Sequence, residues 1–236
     1  MVALFVVATI IVFFVIDYFV QRAEKRKAAL SPAAKSLSKP RFVIPKAYFF
    51  GKGHTWVELL PDGSTRVGLD DFVQKILGPV DQVSVVSNGG QLMSGEKLFT
   101  VRQGAKTLSF CSPISGKILC VNNELVQFPD MLKKEPYRRG WIAVMEPSNL
   151  ADEIKQLSIG SEAAEWLKDE IKRFRNFITA QMGSLAGSGS PALAGATLMD
   201  GGVPVDNVMQ NTPQEVWKKF ESDFLSAAES ATGTKS

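Results

Sequence analysis

The sequence predicts an α+β protein that is mainly β with helices: a small β barrel or sandwich, preceded by one transmembrane helix and followed by two C-terminal helices. Three observations lead to this class. The first residues form a long apolar run, the middle of the chain alternates strand-like segments with turn residues, and the last third carries apolar residues at helical spacing. A net charge of +3 over 236 residues gives no reason to expect a nucleic-acid partner.

Residues 1–20 are predicted to form a membrane anchor. The run VALFVVATIIVFFVIDYFV is interrupted only by Thr9 and Asp17, and as a helix it spans roughly 28 Å, close to the thickness of the hydrocarbon layer. It lacks the preceding basic residue and the following cleavage site of a secretory signal peptide. Lysines and arginines follow it at 22–27, so the positive-inside rule keeps the remainder in the cytoplasm. We expect a single-pass protein of the cell (inner) membrane.

Changes in composition divide the rest of the chain into further parts. We expect a basic, proline-containing tether at 21–47, a β domain at 48–157, an amphipathic helix at 158–182, a flexible Gly/Ala/Ser-rich linker at 183–211, a C-terminal amphipathic helix at 212–229 and a tail at 230–236.

The β domain is predicted from short strands with turn signals between them. The expected strands lie at 54–60, 65–69, 82–87, 97–102, 107–111, 117–121 and 141–145. Asp70 is a suitable N-cap for a short helix that Gly78 and Pro79 end after Leu77. This density of short strands is typical of a small barrel or sandwich.

The C-terminal helix carries the residues that we single out for partner docking. TPQE at 212–215 is a capping box with proline at the first helical position. Val216, Phe220 and Phe224 lie on one face of this helix at i, i+4 and i+8, and with Trp217 they are the candidates for docking. An amphipathic helix after a loose linker docks on another protein or packs back on its own chain, and the sequence leaves both open.

Motifs of catalysis and metal binding are absent from the sequence. His54 is the single histidine and is predicted to be an ordinary strand residue, while Cys111 and Cys120 form no zinc pattern and are expected to be buried thiols, with a redox pair as the alternative. No phosphate-loop, dinucleotide or nucleophile-elbow motif occurs. We therefore predict no catalytic residue, no metal site and no small-molecule substrate.

Four motifs in order resemble the H-protein family of the glycine cleavage system over residues 53–157. They are GHTWVE at 53–58, VGLDDF at 67–72 followed by LG at 77–78, SPISG at 112–116 followed by VN at 121–122, and EPYRRGW at 135–141 followed by PS at 147–148. The resemblance implies a lipoyl-domain type of fold, a flattened β barrel-sandwich hybrid with short helices at its edges.

The resemblance also implies a lipoic acid attached to a lysine at a hairpin tip. In the family this lysine stands eight residues before the proline of the SPISG segment, a position that falls on Ala105, and Lys106 comes one residue later. The acidic residue upstream in the family corresponds to Arg102. Because successive side chains in a strand point to opposite faces, a shift by one re-aims the amine, although the glycine at 104 could let the turn slip by one residue.

Two functions follow from these observations. The first is a non-catalytic, membrane-anchored accessory or scaffold protein with an unmodified H-protein-like domain and no cofactor, a subunit of a membrane-associated assembly of respiratory or redox type. Its partners are the membrane and other protein subunits. The alternative is a membrane-tethered lipoyl carrier that uses Lys106, of glycine-cleavage or sulfur-transfer type.

Overall fold

Two antiparallel β-sheets form the framework of the structure, a computed structural model that describes residues 42–187, 199–200 and 203–226. The strands are β1 (Phe49–Phe50), β2 (Thr55–Leu59), β3 (Thr65–Leu69), β4 (Gln82–Val85), β5 (Gln91–Leu92), β6 (Lys97–Gln103), β7 (Lys106–Cys111), β8 (Gly116–Val121), β9 (Trp141–Pro147), β10 (Ser158–Ile159), β11 (Met199–Asp200) and β12 (Val203–Pro204). The larger sheet has the order β10-β1-β2-β3-β9-β8-β5, the smaller β4-β6-β7, and β11 pairs with β12.

Every strand predicted between residues 54 and 145 is present, with ends that differ by a few residues. The hydrophobic core draws side chains from both sheets, including Val57 and Leu69 of the larger sheet and Val101, Leu108 and Phe110 of the smaller one. Strands with one face toward a shared core and the other toward solvent make a sandwich. The predicted α+β class and sandwich architecture are therefore confirmed.

Short helices lie at the edges of the sheets and one long helix follows them. They are α1 (Asp71–Leu77), α2 (Asn123–Gln127), α3 (Met131–Lys134), α4 (Leu150–Glu153), α5 (Gly160–Gly187) and α6 (Gln214–Phe220), with a 3₁₀ turn at Ile154–Gln156 and a π-helical turn at Glu221–Leu225. Asp70 caps α1 as predicted, because its carboxylate accepts a hydrogen bond of 2.9 Å from the amide of Val73.

The C-terminal third differs from its prediction in two details. Helix α5 continues to residue 187, so the start of the predicted linker is helical, and two short strands lie near its end. The capping box at 212–215 does not form: no side chain caps α6, and the Thr212 hydroxyl donates backward to the carbonyl of Met209 at 2.8 Å. The helix itself is present.

The predicted membrane anchor at residues 1–20 lies outside the described residues, as does the tether up to residue 41. Among the residues with a described placement, no helix is both long enough and apolar enough to cross a membrane. The single-pass topology therefore stays a prediction.

Candidate functional site

Lys106 lies beside the tip of the hairpin that joins β6 to β7. Gln103 pairs directly with Lys106, so the connecting turn consists of Gly104 and Ala105. Gly104 has a φ of +59°, which glycine adopts readily, and its amide donates to the carboxylate of Asp81 at 2.6 Å. The turn does not slip by one residue. Ala105 is at the tip and Lys106 begins the next strand.

The side chain of Lys106 shares a face of the hairpin with that of Gln103, because residues directly opposite each other in a β-ladder project to the same side. Gln103 is buried, and its amide nitrogen donates to the carbonyls of Leu77, at 3.2 Å, and of Pro79. This face therefore lies toward the end of α1. Arg102 is exposed, and its Nε donates to the side chain of Gln82 at 3.0 Å.

The amine of Lys106 is held by residues near the C-terminus. Its Nζ donates to the carbonyl oxygens of Gln210, at 2.5 Å, and Thr212, at 3.2 Å, and lies 4.7 Å from the ring centroid of Trp217. Partial burial lowers the pKa of this amine below its usual value. A lower pKa increases the neutral fraction, which is the form of an amine that attacks an acyl group.

Residues 207–225, which we call the covering segment, are fastened first to the end of α1. The amide of Asn207 donates to the carbonyl of Lys75 at 2.7 Å, and that of Met209 donates to Ile76 at 2.9 Å. The last carbonyls of a helix have no partner within it, so these bonds satisfy two of them. The covering segment thus supplies hydrogen-bond donors to the C-terminal end of α1, a helix of the β domain.

An aromatic cluster fastens the other end of the covering segment. The rings of Phe220 and Phe224 stack with centroids 4.9 Å apart, and both pack against Phe174 and Phe177 of α5. The carboxylate of Glu221 also accepts a hydrogen bond of 2.6 Å from the amide of Ser109, on the free edge of β7.

The four partner-docking candidates are buried inside the chain itself. Val216, Trp217, Phe220 and Phe224 have exposed fractions of 3%, 1%, 0% and 2%. Of the two alternatives that the sequence left open, the structure shows the helix packed on its own chain. A partner can reach these side chains only when the covering segment moves off the β domain.

A second cluster of polar residues lies at His54. The residue precedes β2, with a φ of +61°, and is fully buried, so it is not the ordinary strand residue that we predicted. Its Nδ1 lies 2.7 Å from a carboxylate oxygen of Asp70, and its Nε2 lies 3.8 Å from one of Glu170 in α5. The second distance is too long for a hydrogen bond, so Glu170 acts as a nearby charge.

The protonation of His54 follows from these neighbours. Burial lowers the pKa of the imidazole, but the charge and hydrogen bond of Asp70, followed by Glu170, outweigh it and raise the pKa to about 9. Arg173 binds the other oxygen of Glu170 at 2.8 Å. The buried imidazolium therefore links the start of β2 to α5. In the described ranges no cluster of three or more His, Cys, Asp or Glu residues could hold a metal ion.

Sequence reasoning missed the groups that hold the Lys106 amine. Two of them are main-chain carbonyls, which no residue type marks, and Trp217 was singled out as a docking residue. The His54 cluster joins residues 16 and 116 positions apart in the sequence, so no local motif showed it. The expectation of two buried thiols also fails, because Cys120 is exposed and Cys111 is partly exposed.

Comparison with known proteins shows which family the β domain is similar to. The glycine cleavage H-protein family model matches residues 48–170, about half of the chain. The probable glycine cleavage system H protein of Pyrococcus abyssi is 33% identical over 127 residues, which cover 54% of this chain and 94% of that protein. The glycine cleavage system H protein of Anoxybacillus flavithermus is 38% identical over 111 residues, 46% of this chain and 85% of that protein.

A solved structure also matches about half of the chain. The glycine cleavage system H protein of Mycobacterium marinum covers 53% of this chain and 99% of its own, with 26% sequence identity and a TM-score of 0.48.

These matches correct one prediction and agree with another. The prediction that the chain takes no cofactor is contradicted, because the matched family is one whose members carry lipoate on a lysine. A carrier family agrees with the prediction that the chain is not itself an enzyme. The resemblance seen in the four motifs is confirmed: the chain belongs to the glycine cleavage H-protein family.

Proposed function

We propose that this protein is a non-catalytic lipoyl carrier, with Lys106 as its acceptor and residues 1–20 as its membrane anchor. One observation carries the proposal. Lys106 adjoins the turn of the β6–β7 hairpin, and its amine is partly desolvated while still reaching the surface. The family match supports a carrier role for the domain that presents it.

The β domain holds Lys106 in a fixed position, and the amine nitrogen of Lys106 is the atom that would be acylated. A carrier needs its acceptor on a fixed element so that a second enzyme meets it in one geometry. The hairpin provides this, because the paired strands β6 and β7 hold the lysine next to a two-residue turn, and the side chain of Gln103 ties the turn to the end of α1. Lipoate, once attached, supplies a redox-active dithiol on a long arm.

The intact mass of the protein, purified from its native membranes, tests the carrier role. We expect the mass to be raised by one lipoyl group, and peptide mapping of residues 99–112 to locate the group on Lys106. Replacing the acceptor by Lys106→Arg removes the modification while it keeps the charge. An unmodified chain from cells with a working lipoyl ligase contradicts the carrier role.

A double variant tests how strictly the position matters. Lys106→Ala combined with Ala105→Lys returns the amine to the place that the family uses, at the exposed tip. We expect this variant to be lipoylated at least as fast as the natural chain, because its amine no longer touches the covering segment. If only the natural arrangement is modified, the ligase recognises Lys106 where it stands.

An accessory subunit of a membrane-associated assembly is the second candidate function. The observation in its favour is that the chain's own C-terminal residues occupy the face of the hairpin where Lys106 lies. Cross-linking of the full-length chain in native membranes tests this role. Recovery of the same subunits with the natural chain and with Lys106→Arg supports a scaffold that works without the acceptor, and a chain recovered alone refutes it.

The membrane anchor is part of both proposals. The apolar run at 2–20 and the basic residues that follow it support the topology. We expect the full-length chain to stay with the membranes after an alkaline wash. We also expect protease to cleave its C-terminal part only when the protease has access to the cytoplasmic side of the membrane. Release by the wash contradicts the anchor.

A further inference from the structure

The contacts of the Lys106 amine bear on its modification. An ammonium group has three N–H bonds, and Lys106 donates two of them to the carbonyls of Gln210 and Thr212 while its charge lies over the ring of Trp217. All three partners belong to the covering segment. The free amine is therefore one of the points at which this segment is fastened to the hairpin.

Acylation removes most of this fastening. The ammonium first loses a proton to solvent, and the nitrogen lone pair then attacks the carbonyl carbon of an activated acyl donor, such as an acyl-phosphate anhydride. A nitrogen–carbon bond forms, the leaving group departs with its electron pair, and the nitrogen releases a second proton. The amide that results carries no charge and one N–H, so it can donate to only one of the two carbonyls and has no cation–π contact.

We propose that acylation of Lys106 and closure of residues 210–217 over the hairpin oppose each other, so that the free amine holds this stretch down and the acylated amine loosens it. The proposal rests on the proposed function, because Lys106 has to be the residue that is acylated. The coupling is reciprocal, since whatever favours the closed stretch also disfavours the acylated state. Trp217 and the two carbonyls act as positioning groups for the amine.

The rest of the covering segment stays in place when Lys106 is acylated. Asn207 and Met209 are bonded to the main chain of α1, and Phe220 and Phe224 pack in the aromatic cluster with α5. None of these contacts involves Lys106. The opening is therefore local and confined to residues 210–217, as expected when one contact of a larger packed unit is lost.

Hydrogen exchange in the full-length chain tests the coupling. Acetyl-lysine is installed at position 106 during synthesis, and a matched chain carries it at position 117, which is an exposed lysine of β8. We expect the amides of residues 210–217 to exchange at least about tenfold faster in the first chain, a factor that corresponds to about 1.4 kcal/mol. The chain acetylated at 117 exchanges like the natural one. Lys106→Arg keeps the positive charge and N–H donors at this position, so amide exchange at residues 210–217 should stay within about twofold of that in the natural chain.

The hydrogen-exchange results test this inference independently of the proposed function. Equal exchange in the two acetylated chains overturns the coupling, and so does faster exchange that spreads into β2 and β3, because the acyl group would then be unfolding the domain. The acetyl group enters during synthesis, so neither result depends on whether the cell lipoylates Lys106. Only the mass measurement decides that point, and each idea can therefore fail alone.

Discussion

Raising the pH from 6.5 to 9 should weaken the fold through His54. The unfolded histidine has a pKa of about 6.5, and the fully buried imidazole beside Asp70 and Glu170 has a pKa of about 9. Because the folded pKa is the higher one, the imidazolium stabilises the fold fully below pH 6.5. The contribution falls by about 1.4 kcal/mol per pH unit above this value and is gone above pH 9. The total loss is about 3 kcal/mol.

Urea unfolding of the full-length chain in detergent measures this loss. The comparison is His54→Asn, because asparagine tolerates the positive φ of this position and does not titrate. We expect the unfolding free energy of the natural chain to fall relative to that of the variant between pH 6.5 and 9. His54 is the single histidine of the sequence, so its NMR signal reports the pKa directly. Parallel pH profiles, or titration at or below pH 6.5, would refute the buried ion pair.

Three further substitutions test the packing. Gly68→Ala places a methyl group 2.2 Å from the ring of Trp56, and this overpacking should lower the unfolding free energy by about 1–3 kcal/mol in urea titrations. Phe174→Ala empties the centre of the aromatic cluster, and calorimetry should show a loss of about 3–5 kcal/mol. Glu221→Ala removes the acceptor of the Ser109 amide, which should cost about 1–3 kcal/mol and speed exchange at that amide.

Each substitution has a control within the chain. Gly183 lies in α5 with no atom near its missing Cβ, so Gly183→Ala should be neutral or stabilise the helix by up to about 1 kcal/mol. Glu165→Ala, on the exposed side of the same helix, should change stability by no more than about 0.5 kcal/mol. If these two changes cost as much as Gly68→Ala and Phe174→Ala, packing is not the cause of the losses.

The β domain was predicted well because the signals that start and end its strands and helices lie within or next to each of them. The turn PDGS, the N-cap at Asp70 and the stop at Gly78 act within a few residues, and the structure places β3 and α1 where these signals put them. The long helix was predicted to end at 182, where the chain turns rich in glycine, alanine and serine, but it continues to 187. Helix ends are set by small energies, so composition alone locates them poorly.

The candidate site could be predicted only in part, because its residues are far apart in the sequence. Counting from Pro113 placed Ala105 and Lys106 correctly around the tip of the hairpin. The groups that bind the amine lie more than 100 residues further along, and the face on which Lys106 lies depends on the pairing of Gln103 with it. Contacts of this kind have no signature in a short window.

The contact between the covering segment and the β6–β7 hairpin also determines when folding can be completed during synthesis. The bonds from Lys106 and Ser109 to this segment join residues 104 to 112 positions apart. The family-like region ends at residue 170 and the segment at 225, so about 55 residues, or roughly 3–11 s of synthesis, separate them. During that interval Phe174 and Phe177 lack the rings of Phe220 and Phe224 that they pack against in the finished fold. The aromatic cluster can therefore close only after Phe224 has been synthesised.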